Sequence, residues 1–242
     1  MILRFSTFMS LAATLSGCLG MAPTEVPLPS IVTAEVPSQH DTVVIMLPGR
    51  GDRADSFIRE GFESAGERWG FDTIATDAHF GYYMKRSLLP RLHEDIVLPA
   101  HEAGYDKVWL LGISMGGFGS LLYASENPEL VNGVILLAPF LGDSSSIEEI
   151  AASGGLMNWD AESSQLEDYE IRIWQWIRDA ETPLILGYGE ADGMADGYRQ
   201  LLTDVLEPSS VYTLEGGHKW TTWKPLWEQI AADFNRSGVT QP

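Results

Sequence analysis

From Thr42 onward the chain alternates between short runs of β-branched and aliphatic residues and longer amphipathic stretches. The short runs are Val43 to Leu47, Phe71 to Thr76, Lys107 to Gly112, Val134 to Leu137, Leu184 to Gly187 and Val211 to Leu214. Between them the pattern predicts helices near Ala54 to Arg68, Leu88 to Ala103, Gly116 to Ser125, Met194 to Leu206 and Trp223 to Asn235. Strands that alternate with helices predict an α/β fold, with a mostly parallel central sheet of about six or more strands covered on both faces.

Two segments break this rhythm. Residues 19 to 41 hold Pro23, Pro27, Pro29 and Pro37 among small and polar residues, a composition that predicts an extended, semi-rigid tether. Between Phe140 and Glu181 a Ser-, Glu- and Trp-containing stretch separates two strands by far more than the usual few residues, and a small helical cap is expected over 140–181. The folded domain is then expected over 42–242, preceded by a tether over 18–41.

Residues 1–17 carry one positive charge, at Arg4, then a short apolar stretch and small residues, which is the layout of a secretory signal and too short for a spanning helix. Leu15-Ser16-Gly17-Cys18 resembles a bacterial lipobox. The resemblance implies cleavage before Cys18, acylation of that residue and attachment to the cell envelope. Leu19 and Gly20 follow where an aspartate would mark retention at the inner membrane, so it points to the outer membrane, facing the periplasm.

Charge and cysteine usage narrow the chemistry. With 34 acidic against 15 basic residues the formal net charge is -19, which opposes binding to phosphate backbones, so no nucleic-acid partner is expected. The chain has 1 cysteine, which excludes an internal disulfide framework and any site built from several thiolates. Metal-site spacings, dinucleotide fingerprints and phosphate loops do not occur, and no cofactor or metal is expected.

The run Lys107 to Leu111 leads straight into Gly112-Ile113-Ser114-Met115-Gly116-Gly117, followed by a predicted helix rich in small and apolar residues. A serine on so sharp a strand-to-helix turn needs glycines two positions to either side, because side chains there would collide with the neighbouring strand and helix. In the order of its elements from Thr42 to Asn235 the sequence resembles the α/β-hydrolase superfamily, in which the chain order of the triad is Ser, Asp or Glu, His.

The resemblance implies Ser114 as nucleophile. It implies Asp192, which matches the acid of the family's Gly-x-x-Asp pattern in Gly189-Glu190-Ala191-Asp192, with Glu190 and Asp196 as rivals in the same loop. His218 follows the last predicted strand and two glycines, and is the expected base. His40, His79, His93 and His101 are expected in structural or solvated roles.

An oxyanion would need the Met115 N–H, directly after the nucleophile. A second donor is expected at Arg50 N–H, in Pro48-Gly49-Arg50-Gly51, which resembles the family's His-Gly-x loop with proline at the histidine's position.

The expected function is a serine hydrolase acting on a small-molecule carboxylic ester or thioester. A non-catalytic envelope lipoprotein that uses the scaffold as a binding module is the alternative. Phe80, Tyr82 and Tyr83 with Trp159, Trp174 and Trp176 hint at an aromatic or apolar acyl group, although core packing explains such clusters more often.

Overall fold

The computed structural model describes residues 23–33, 39–161, 165 and 167–236. The signal-like segment and Cys18 lie outside the described residues.

All six predicted strands form: β2 (Thr42–Leu47), β3 (Asp72–Thr76), β4 (Lys107–Ile113), β5 (Gly133–Leu137), β6 (Leu184–Gly189) and β7 (Val211–Leu214). With a short strand β1 (Ser30–Thr33) they make a 7-stranded sheet of order β1-β3-β2-β4-β5-β6-β7. Every pairing is parallel except β1 with β3.

The apolar runs lack polar alternation because both faces are covered. Val43, Ile45 and Leu47 of β2 enter one core cluster, while Val44 and Met46 enter the other. Against the first face lie α6 (Met115–Glu126) and α8 (Tyr169–Asp179), through Leu121, Leu122, Ile173 and Trp174. Against the second lie α1 (Ala54–Glu60), α2 (Ser64–Trp69) and α10 (Trp220–Arg236), through Phe57, Ala65, Trp227 and Ile230. The chain builds outward from β2 first to β3 and then back across to β4, so the carboxyl ends of β2 and β4 flank a topological switch point, where open α/β sheets leave a crevice.

Four expectations change. Residues 23–33, within the expected tether, are packed onto the domain. Leu28 is buried and its N–H donates to Asp95 Oδ2 at 2.7 Å, and β1 pairs with β3 from Ser30 opposite Thr76 to Thr33 opposite Thr73. Proline is excluded from interior strands but tolerated beside an edge strand, and Ser30-Ile31-Val32-Thr33 is a proline-free, partly β-branched run at that edge.

The helix expected over 54–68 divides at Gly61, whose left-handed φ of 75° ends α1. The helix expected over 88–103 is α4 (Leu88–Leu92), a π turn at His93–Val97 and α5 (Leu98–Glu102). The widened turn precedes Pro99, which has no N–H to continue the ladder. Of the helix expected over 194–206, α9 (Arg199–Thr203) forms and the residues before it are turns.

The 140–181 stretch contains two different things. Helix α7 (Ser144–Ala152) and a 3-10 turn at Leu156–Asn158 elaborate the connection, whereas α8 is the crossover that two parallel strands require, packed on α6 with Trp174 fully buried. A further short helix, α3 (Phe80–Met84), follows β3.

Candidate active site

Ser114 is the single residue between β4 and α6, at φ 51° and ψ -115°, a left-handed conformation that costs a non-glycine residue about 1–3 kcal/mol. Backbone bonds hold it there. Its N–H donates to Leu137 O at 3.0 Å, and its carbonyl accepts from Gly117 N and Phe140 N, each at 2.9 Å. A Cβ at Gly112 would collide with the Gly116 carbonyl, and one at Gly116 would collide with the Leu47 carbonyl. The glycine spacing therefore reflects backbone packed on backbone, at the switch point between β2 and β4.

The loop after β2 lies against the nucleophile position, since a Cβ at Gly49 would stand 3.5 Å from Ser114 Cβ. Residues 49–52 form a turn closed by Asp52 N–H on Gly49 O at 3.1 Å, with Gly51 at φ 94°. Arg50 is the second residue of that turn, and its guanidinium carbon stands 4.8 Å above the Phe80 ring. Met115 is the first residue of α6, so its N–H has no acceptor within the helix.

Because β6 and β7 are neighbours, the loops that leave their carboxyl ends run side by side. Glu190 N–H donates to Leu214 O at 2.9 Å and Ala191 N–H to Gly216 O at 2.8 Å. Asp192 is 1% exposed. Its Oδ2 accepts from His218 Nδ1 at 2.8 Å and its Oδ1 from Met194 N–H at 3.0 Å. An ionised carboxylate only accepts, so the His218 proton is on Nδ1 and the Nε2 lone pair is left free in the neutral ring. The Trp223 ring meets the imidazole in a T-shaped contact, 4.9 Å between ring centres and 88° between planes.

The rival carboxylates are elsewhere: Asp196 is exposed and paired with Arg199 at 2.9 Å, and Glu190 is exposed. Buried Tyr198 lies near Asp192, and burial together with that carboxylate pushes its phenol well up, which keeps it neutral.

The structure thus brings Asp192 to His218 and loop 48–52 to Ser114. Among the described residues no hydrogen bond joins Ser114 Oγ to His218. Catalytic contacts of this kind are commonly long without substrate and tighten when it binds.

His79, His93 and His101 are tied into the scaffold through Gly81 N–H, Tyr123 hydroxyl and Leu130 carbonyl respectively. Of the aromatic candidates, Tyr82, Trp159 and Trp174 are buried in the core, and partly buried Trp176 packs against it. Phe80 and Tyr83 are at the site: their rings stack at 6.5 Å, and the Tyr83 hydroxyl donates to the Met115 carbonyl at 3.0 Å. Sequence reasoning missed Phe118 and Phe140, whose rings meet at 5.8 Å. The position of Phe118 within one turn of Ser114 was the available signal.

The model of the family described as alpha/beta hydrolase fold matches residues 42–182 of this chain. The chain belongs to the α/β-hydrolase family. The family match includes Ser114 and ends before Asp192 and His218, so the acid and the imidazole rest on the geometry above. Among solved structures the chain is similar to Est1E from Butyrivibrio proteoclasticus, with 16% identity, a TM-score of 0.63 and coverage of 87% of this chain and 93% of that one. It is also similar to S-formylglutathione hydrolase from Staphylococcus aureus, with 13% identity, a TM-score of 0.56 and 81% of each chain covered. Identities this low establish a common α/β-hydrolase fold. A curated relative, the uncharacterized protein YjcH of Bacillus subtilis (strain 168), is 26% identical over 131 residues, covering 53% of this chain. The match spans about half the length of that relative, 49%.

Proposed function

We propose that this α/β hydrolase is a serine esterase or thioesterase, with Ser114 as nucleophile, His218 as general base and Asp192 as the acid that orients it. The observation that carries the reading is the pairing of a strained Ser114 at the switch point with a buried Asp192 bonded to His218 Nδ1.

In the proposed cycle, His218 Nε2 takes the Ser114 hydroxyl proton as Oγ attacks the acyl carbon, and the imidazolium returns that proton to the leaving alcohol or thiol. The tetrahedral oxyanion is held by Met115 N–H and Arg50 N–H. Water, deprotonated by the same imidazole, then attacks the acyl-enzyme; its proton returns to Ser114 Oγ as the acid leaves.

Phe80, Tyr83, Phe118 and Phe140 around the nucleophile favour an aromatic or apolar acyl group. In keeping with that, Est1E has been solved with ferulic acid bound, and a ferulic acid esterase is among the similar folds. S-formylglutathione hydrolase acts on a thioester, which keeps that class within the proposal.

Cleavage before Cys18 and acylation of that residue would place the protein at the outer membrane, facing the periplasm, held by its lipid. Among the described residues no helix is long and apolar enough to cross a membrane.

A fluorophosphonate probe tests the chemistry. The wild type is expected to be labelled and Ser114→Ala to remain unlabelled; an unlabelled, folded wild type would leave only a binding role for the scaffold.

A further inference from the structure

The point at which the chain enters the domain fixes which side of the domain a lipid on Cys18 can reach. β1 runs antiparallel to β3 with Ser30 opposite Thr76, the last residue of β3. The start of β1 is therefore at the carboxyl edge of the parallel strands. That edge also carries the Gly49 loop after β2, Ser114 after β4, Asp192 after β6 and His218 after β7.

Residues 23–25 stay on this edge. Pro23 carbonyl accepts from His79 Nε2 at 3.2 Å, Glu25 carbonyl from Tyr82 hydroxyl at 2.9 Å, and Thr24 Oγ1 from Lys85 Nζ at 3.0 Å. All three partners belong to helix α3 or its caps, His79 before it and Lys85 after it, and α3 also supplies Phe80 under Arg50 and Tyr83 against Met115. Five residue steps separate Cys18 from Pro23, a reach of at most about 18 Å. A domain of this size is about 40 Å across, so a chain that short cannot bring the opposite edge to a bilayer.

The apolar side chains exposed on this edge fit the same orientation. Val26 is 70% exposed beside the docked strap, Met84 is 65% exposed at the end of α3, and Met194 is 48% exposed in the acid loop. Lys85 and Arg86 are exposed next to Met84.

We infer that the carboxyl edge of the sheet, with Val26 and Met84 at its surface, meets the lipid bilayer when Cys18 is acylated, so that the site takes an acyl ester held in the membrane interface. This inference rests on the proposed hydrolase activity and on lipidation of Cys18. The lipid surface is the occupant because the anchoring residue lies within reach of this edge alone, and because side chains such as Met and Val gain free energy on leaving water.

The experiment uses the full acylated protein in phosphatidylcholine vesicles, with the lipid on Cys18 verified by the mass of the mature N-terminal peptide. Because Cys18 is the only cysteine and is capped by lipid, Met84→Cys and Glu181→Cys each provide one free thiol for an environment-sensitive fluorophore. Glu181 is exposed and precedes β6, at the amino edge. Nitroxide-bearing lipids are expected to quench the probe at residue 84 and leave the probe at 181 unaffected. Equal quenching, stronger quenching at 181, or an unmodified Cys18 would overturn the inference.

In a second arm, Val26→Asp with Met84→Asp is expected to lower the ratio of turnover on a vesicle-embedded long-chain ester to turnover on a soluble short-chain ester by about tenfold. An unchanged ratio would also overturn it. Failure of the wild type on both esters would defeat the hydrolase reading instead, while the fluorescence arm would still decide which edge meets the lipid.

Discussion

Replacing Asp192 by Asn separates the electrostatic part of the proposed triad from its shape. The carboxylate uses one oxygen on His218 Nδ1 and the other on Met194 N–H, and it is almost wholly removed from solvent. An amide has a single acceptor. If that oxygen stays on the fixed main-chain N–H of Met194, the amide NH2 faces His218, and the ring must move its proton to Nε2 to accept it. That tautomer has no lone pair for the Ser114 proton. The imidazolium formed during attack also loses its counter-charge, worth about 4 kcal/mol for unit charges about 4 Å apart at an effective dielectric of about 20. That alone is about a thousandfold in rate, and the wrong tautomer carries the loss toward about ten-thousandfold. The assay is kcat/KM on a soluble p-nitrophenyl ester, with circular dichroism melts to verify that Asp192→Asn still folds. Asp196→Asn is the matched control, expected to change the rate less than about twofold because its carboxylate is exposed and paired only with Arg199. Retention of more than about a tenth of the activity in folded Asp192→Asn, or a large loss in Asp196→Asn, would refute the assignment.

Other consequences can be measured directly. Gly116→Ala places a methyl against the Leu47 carbonyl, and a drop in melting temperature corresponding to about 1–3 kcal/mol or more is expected, together with loss of fluorophosphonate labelling. Trp174→Ala removes a fully buried indole and its bond to Leu141 O, and denaturant melts should show a loss of about 3–5 kcal/mol. The His79 imidazole is held below the ordinary histidine value of 6.5, first by burial and then by Arg53. A lowered folded value means that the native state favours the neutral ring, so this contribution to stability is complete above pH 6.5 and is lost as the pH falls from there toward the lowered value. The gap in melting temperature between neutral and mildly acidic buffer should narrow in His79→Asn, which can still cap α3; an unchanged gap would contradict the assignment.

The scaffold was readable because two physical signals were strong. Strands buried on both faces give uninterrupted runs such as Val43 to Leu47, and backbone-on-backbone packing at Ser114 leaves glycine as the only tolerated residue at 112 and 116. The position of His218 was legible for a related reason, as a histidine in a glycine-containing loop after the last strand. The misses were contextual. Four prolines made residues 19–41 look unpacked, yet the free edge of β3 could accept a short antiparallel partner in Ser30–Thr33. Nothing local in Phe80–Met84 marks a helix; it is fixed by His79 capping Gly81 N–H and by Tyr82 and Tyr83 reaching partners distant in sequence. The Gly-x-x-Asp resemblance singled out Asp192 over Asp196 and Glu190, whereas the inward turn of its carboxylate onto His218 depends on tertiary packing that spacing does not encode.

The main-chain bonds that join Glu190 and Ala191 to Leu214 and Gly216 tie the carboxylate and the imidazole into a single piece, whereas the hydroxyl rises from a different pair of strands. The distance between those two pieces is governed by the coiling of the sheet between β4 and β6. A substitution deep under β5, far from any reacting atom, could therefore detune proton transfer while leaving each half of the apparatus individually intact.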